Sequence, residues 1–206
     1  MKKYLLDCGS NVGQATKYFI EKSIVDKDTE IHLFEPNELA LKLSKDKLKE
    51  YDDYDITYHQ VAIWIESCSR NLTLEYSPGD YQCQLNPDDI IPGNNKAGGA
   101  TNIMEDEWKK PNYILDEYIT PGGLVECIDF SEFIKQNIET GSKVICKMDI
   151  EGAEYEVLGK LIDDGTIDSI DRLYIEWHNH LLVEDFDTSM FIDELKSRDI
   201  EIEQWV

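Results

Sequence analysis

The chain has 206 residues, 41% hydrophobic and 31% charged, which suffices for one globular domain, residues 1–206, around a single sizeable core. Acidic residues outnumber basic ones 43 to 20, a formal net charge of -23 with no local basic patch, so nucleic acid and anionic membranes are not expected as partners. No apolar stretch nears the ~18 residues a bilayer span needs, and five cysteines without CxxC spacing (Cys8, Cys68, Cys83, Cys127, Cys146) read as reduced residues of a cytoplasmic protein.

Short apolar runs alternate with longer segments of helical period, the pattern of βαβ units, so the expected fold is α/β with a mostly parallel sheet flanked by helices. In chain order the reading is a strand at Lys3–Cys8, a helix over Gly13–Ile24, a strand at Glu30–Pro36 and a helix over Asn37–Tyr51. A third strand follows at Asp55–Trp64, then a hairpin arm at Leu72–Ser77. Residues 77–102 concentrate Pro, Gly, Asn and Asp without periodicity, and a loop of that length in a compact domain is expected to select substrate, anchored by Tyr81, Ile90 and Ile91. Order resumes over Leu124–Ile138 as a strand and a short helix with Ser131 near its start. A strand at Lys143–Ile150, a helix over Ala153–Asp164, a strand at Arg172–His178, a helix over Thr188–Arg198 and a strand at Ile200–Val206 complete the alternation.

The chemistry gathers at strand ends. In "LDCGSNVGQAT" the first strand runs into a turn and a helix; Gly9 and Gly13 let the backbone approach a ligand, and the helix start offers free N–H groups. A dinucleotide fingerprint would read GxGxxG, whereas Asn11 stands at the second glycine and the third is missing. Asp7 would repel a pyrophosphate and accept hydrogen bonds from an ammonium group, which favours an amino-acid ligand. Glu35, in "FEPN" at the end of the second strand, stands where an acid accepts from both hydroxyls of a ribose, with Pro36 stopping the strand. Ala62, ending the third, leaves room for a flat ring.

In "KMDIEGAEYEVL" Lys147 lies inside an apolar strand, and Asp149 and Glu151 follow at alternate positions, so the three point broadly the same way until the strand ends. Burying such charges is costly unless they pair or serve chemistry. Glu176 and His178 repeat the alternation at the end of the next strand. In open α/β sheets the ligand crevice lies at the carboxyl ends of the strands, where Asp7, Glu35, Asp149, Glu176 and His178 would gather. His32, His59 and His180 read as ordinary positions.

With these motifs in order from residue 5 to 178, together with "QVAIW", "VECIDFSEFI" and "IEWH", the sequence resembles the FkbM family of S-adenosylmethionine-dependent methyltransferases. The resemblance implies a Rossmann-like class I methyltransferase fold, doubly wound. It implies that Asp7, Gly9, Ser10, Asn11 and Gly13 surround the methionine part of S-adenosylmethionine, that Glu35 and Pro36 meet the ribose, and that Gln60, Val61 and Ala62 border the adenine. It also implies an acceptor hydroxyl on a small molecule or glycan, with a deoxyhexose such as rhamnose as the family-level expectation. Family members often carry sequence before the first motif, whereas this chain begins with the first strand and ends at its sixth where the fold usually has a seventh; both fit a domain excised from a larger carbohydrate-modifying protein.

The expected reaction is methyl transfer from the sulfonium to a hydroxyl by in-line displacement, with Asp149 or His178 as base and Lys147, Glu151 and Glu176 setting charge and orientation. In a variant, Asp149, Glu176 and His178 bind a divalent metal that lowers the hydroxyl's pKa. A nicotinamide-dependent sugar oxidoreductase and a non-catalytic cofactor-binding module are the competing classes; the missing third glycine and Asp7 weigh against the first, and the intact Lys147, Asp149, Glu151 and His178 against the second.

Overall fold

The computed structural model describes residues 1–75, 100–104, 109, 119–184 and 186–205. Most of the expected substrate loop, residues 77–102, lies outside them. Six strands, β1 (Lys3–Cys8), β2 (Thr29–Phe34), β3 (Asp55–His59), β8 (Lys143–Met148), β9 (Arg172–Ile175) and β10 (Glu201–Gln204), form one sheet in the order β3-β2-β1-β8-β9-β10. Every neighbouring pair in it is parallel. The fold is thus the expected Rossmann-like, doubly wound α/β architecture, and its strand order reverses between β1 and β8. Crossover helices α1 (Gln14–Glu21), α2 (Glu38–Lys47), α4 (Glu154–Asp163) and α5 (Thr188–Ser197) link successive strands, as parallel pairing requires.

Strand periodicity divides the core in two. Leu5, Ile31, Leu33, Ile145 and Tyr174 pack with Ala15, Phe19 and Ile20 of α1 on one face. Tyr4, Leu6, Cys8, Val144, Cys146, Met148 and Leu173 pack on the other with Val157, Leu158 and Leu161 of α4 and with α3 (Phe130–Asn137). Both faces are covered, which is why these strands read as continuous apolar runs rather than alternating ones. Side-chain caps fix three helix starts: Asn37 accepts from Leu39 and Ala40 N–H, Asp129 from Glu132 N–H and Asp187 from Ser189 N–H.

The expected strand over Asp55–Trp64 is corrected. It breaks at Gln60 and Val61 into β3 and β4 (Ala62–Trp64), and β4 leaves the main sheet to join a second one. There β7 (Ile119–Asp129) pairs in parallel with β4 and antiparallel with β5 (Cys68–Glu75), and β6 (Ala100–Asn102) pairs with β5. The break is physical: β4 buries Ala62, Ile63 and Trp64 consecutively, which one half-exposed edge strand cannot do. Leu72 and Leu74 of β5 and Cys127 of β7 join the larger core, so the second sheet covers the carboxyl end of the first on one side.

Candidate functional site

A cleft of about 520 Å³, open to solvent, lies at the carboxyl ends of β1, β2 and β8, where the strand order reverses. Gly9 and Asn11 line it from the turn after β1, Phe34, Glu35 and Pro36 from the end of β2, Val61 from the break before β4, Ala62 and Ile63 from β4, Ile103 from beyond β6, and Asp149, Ile150 and Glu151 from the turn after β8.

Backbone geometry makes that wall. Gly9 N–H and Ser10 N–H both donate to the Phe34 carbonyl at 3.0 Å, tying the first turn to the end of β2. Gly9 has φ 73°, and a Cβ there would stand 1.8 Å from the carbonyl oxygen of Asp149, so only glycine lets the two turns meet. Glu35 is buried and held as a preformed acceptor: Oε2 takes Asn11 N–H at 2.9 Å and Oε1 takes Asn37 N–H at 2.8 Å. Burial pushes its carboxyl up to about 7, against the pull of those two N–H groups and of Lys147.

Four residues read as cofactor contacts do not line the cleft. Asp7 is fully buried; it accepts from Thr16 Oγ1 at 2.6 Å, and the ammonium it faces is that of Lys147, 3.7 Å from Oδ1. Burial raises its carboxyl above the ordinary range, with Lys147 and Thr16 opposing. Ser10 is buried, with no hydrogen-bond partner for Oγ. Gly13, φ 77°, serves packing: a Cβ would come within 2.7 Å of Ser44 Oγ and 3.1 Å of Leu48, closing the contact between α1 and the segment after α2. Gln60 is exposed at the break between β3 and β4.

Lys147 lies beneath the cleft. Its buried ammonium donates to the Gly9 carbonyl at 2.7 Å and to Asp149 Oδ2 at 3.0 Å, and the Cys8 carbonyl lies at 3.4 Å. Burial disfavours its charge, but Asp149 and Asp7 outweigh this and hold its pKa above the usual lysine value. It therefore welds the two turns together instead of reaching the cavity. The alternation expected from Lys147 to Glu151 ends early: β8 stops at Met148, and Glu151 and Gly152 take φ values of 56° and 105°.

Those two left-handed residues turn the chain back into α4, whose first residue, Glu154, organises the neighbourhood. Sequence reading missed it. Glu154 is fully buried and accepts Ile150 N–H at 2.8 Å and Gly152 N–H at 3.0 Å, closing the "DIEGAE" turn, and its Oε1 lies 3.0 Å from His178 Nδ1. A carboxylate at a helix start, three residues after Glu151, is a capping signal legible in the sequence. His178, 5% exposed, turns Nε2 toward Glu151 Oε2 and Glu176 Oε1, each 3.6 Å away. Burial opposes its charge, yet the acids around it, Glu154 foremost with Glu176 and Glu151 beyond, raise its pKa to about 11. Side-chain atoms of Asp149, Glu151 and His178 all lie within 4.8 Å of one another. The expected metal-ligand group of Asp149, Glu176 and His178 is corrected accordingly: Glu151, not Glu176, completes the set. The remaining missed cleft residues, Phe34, Ile63, Ile103 and Ile150, are apolar neighbours of the motifs and carried no signal of their own.

Of the three other histidines, His32 and His59 are away from this group. His32 Nδ1 and His59 Nε2 lie 3.0 Å apart in a stack with Phe34, and burial lowers both pKa values, that of His59 to about 4. His180 stacks beside His178 on the turn after β9.

A doubly wound parallel sheet with an acceptor acid at the end of its second strand and an acid–imidazole cluster at the end of its fourth defines a Rossmann-like domain built for a small nucleoside cofactor. The chain belongs to the FkbM methyltransferase family: the family model of the methyltransferase FkbM domain matches residues 7–200 of the 206. Comparison with curated proteins and with solved structures gave no significant match. Among the described residues no helix is long and apolar enough to cross a membrane.

Proposed function

We propose that the protein is an S-adenosylmethionine-dependent O-methyltransferase acting on a hydroxyl of a sugar or glycan. One observation carries the reading: the glycine turn, the paired-acceptor Glu35 and the acids Asp149 and Glu151, which His178 backs, border a single cleft at the point where strand order reverses. Gly9 and Asn11 border the amino-acid end of the cofactor, Glu35 takes the two ribose hydroxyls, and Val61, Ala62 and Ile63 provide an apolar floor for the adenine.

The sulfonium is already activated, so catalysis is alignment plus removal of one proton. The acceptor oxygen attacks the methyl carbon, the carbon–sulfur bond breaks with its electron pair going to sulfur, and the hydroxyl proton leaves. Asp149 and Glu151 line the cleft, and promoting loss of the hydroxyl proton is the task of their cluster. Lys147 and Glu154 are positioning residues, the first for the cofactor turn and the second for His178. A reducing, cytoplasmic setting belongs to the same reading, supported by four free cysteines among the described residues.

Titration calorimetry with S-adenosylhomocysteine and with NAD, followed by transfer of labelled methyl groups to a panel of nucleotide sugars and short glycosides, tests the proposal. Expected is saturable binding of the first ligand, none of the second, and label on a glycoside ether. Binding of NAD alone, or label on an amine or carboxylate and on no hydroxyl, overturns it.

A further inference from the structure

We infer that Asp149, Glu151 and His178 form a binding site for one divalent first-row cation, placed at the cleft so that the cation meets the acceptor hydroxyl. Its role in catalysis rests on the methyl-transfer reading above; its existence does not.

The argument starts from His178. A buried imidazole on a turn ordinarily satisfies both ring nitrogens with the nearest polar groups. Here only Nδ1 is within hydrogen-bond length of an acid, at 3.0 Å from Glu154, while Nε2 faces Glu151 and Glu176 at 3.6 Å, beyond that length. Glu154 cannot turn away, because two backbone N–H groups hold its carboxylate. The ring orientation is therefore dictated from behind, with Nε2 aimed outward at two carboxylates. A buried acid fixing one imidazole nitrogen while the other is presented to a charged site is the arrangement that supports metal-binding histidines.

The rest of the set fits. Asp149 is held in place through Oδ2 by Lys147, and Glu151, itself left-handed with φ 56°, brings Oε2 to 3.6 Å from His178 Nε2. One atom from each lies within 4.8 Å of the others. Metal–ligand bonds of ~2.1 Å place neighbouring donors ~3 Å apart, so side-chain rotation alone closes the ring. One nitrogen and two carboxylates leave coordination positions open for hydroxyl and water. That mixture suits ions between the carboxylate-seeking Mg²⁺ and Ca²⁺ and the imidazole-seeking Zn²⁺, with Mn²⁺ the natural probe. Because Asp149 and Glu151 also line the cleft, a cation they hold stands at its wall, within reach of an acceptor hydroxyl that enters there. It lowers the pKa of the ligated hydroxyl, which gives its proton to water as its oxygen takes the methyl group.

The test is Mn²⁺ binding to the full chain, by calorimetry and by the loss of free-ion paramagnetic resonance, in the absence of methyl donor. One site per chain is expected. Glu151→Gln and His178→Ala should each weaken it at least about tenfold, and Glu154→Gln by about 10–100-fold through the ring it orients. Glu176→Gln should change it less than about threefold, since Glu176 contributes no ligand atom to the set. S-adenosylhomocysteine binding in excess chelator serves as the folding control for each variant. No saturable Mn²⁺ binding to chain that binds S-adenosylhomocysteine overturns the site, as does a larger loss in Glu176→Gln than in Glu151→Gln. Mn²⁺ binding with the expected variant pattern, but no S-adenosylhomocysteine binding to the wild type, upholds the cation site and sinks the methyl-transfer reading instead.

Discussion

Cofactor affinity should fall steeply on mild acidification, and the cause is one carboxylate. Glu35 is buried, with a single N–H on each oxygen, and its pKa stands at about 7 against an ordinary 4.5. Because the folded value lies above the unfolded one, the folded chain holds the extra proton between those values. The contribution of Glu35 to stability is thus complete below pH 4.5 and is lost as pH rises through about 7. The shift corresponds to about 3 kcal/mol held against the ionised form. A nucleoside reverses the balance, since a ribose diol donates two hydrogen bonds that only the ionised carboxylate can accept in full. Binding below neutrality must therefore release a proton, and the apparent Kd should be about twofold weaker at pH 7 than at pH 8.5 and about tenfold weaker at pH 6. Titration calorimetry with S-adenosylhomocysteine across this range, in two buffers of different ionisation enthalpy, reads both the affinity and the proton count. Methylthioadenosine, which carries the diol without the amino acid, should show the same step, and Glu35→Ala should bind weakly and without it. A flat Kd between pH 6 and 8, or a step that survives Glu35→Ala, refutes the reasoning.

Lys147→Met should destabilise the chain by about 3–5 kcal/mol in urea denaturation, because it leaves Asp7 buried with an unmatched charge and frees the Gly9 carbonyl; combining it with Asp7→Asn should recover part of the loss. Gly13→Ala should lower stability through the clash with Ser44 and Leu48 and the left-handed φ, by about 1–3 kcal/mol, while S-adenosylhomocysteine affinity changes little; a large affinity loss at unchanged stability would return Gly13 to the cofactor site. Asp149→Ala and His178→Ala should each lower turnover by about 100-fold or more with S-adenosylhomocysteine affinity changing much less, and wild-type turnover in either would remove that residue from the proton-removing cluster.

The sheet was legible because its central strands are buried on both faces: "YLLDC", "EIHLF" and "KVICKM" are mostly apolar and do not alternate cleanly, and helical spacing separates them. The break at Gln60 and Val61 was not, since "DITYHQVAIW" keeps strand-forming residues throughout and only tertiary burial decides that Ala62, Ile63 and Trp64 join another sheet. Motif residues were found reliably as strand-end residues, and misread in direction. Asp7 follows β1 inward by the period-two rule, so it ends beside Thr16 and Lys147, not in the cleft. The rule itself stops at Met148, where β8 ends, yet the left-handed Glu151 still faces the cleft beside Asp149. Gly9 and Gly13 look alike in the motif, yet one admits a neighbouring turn and the other a neighbouring helix.

The acids of this site fall into two kinds, and the division explains why so many can sit so close together. Asp7 and Glu154 are fully buried and take hydrogen bonds from the chain itself, Asp7 from Thr16 and Glu154 from two backbone N–H groups. Each backs a cationic or basic side chain, Lys147 in one case and His178 in the other. Glu35, Asp149 and Glu151 instead face the cleft, with oxygens turned to the space a ligand enters. The inner acids hold Lys147 and His178 in place, and those two residues in turn meet outer acids: Lys147 reaches Asp149, and His178 faces Glu151. Alternating charge from the core outward lets each layer offset the burial of the next. The outermost layer, at the cleft, remains negative, the charge that the proposed sulfonium donor and cation would complement.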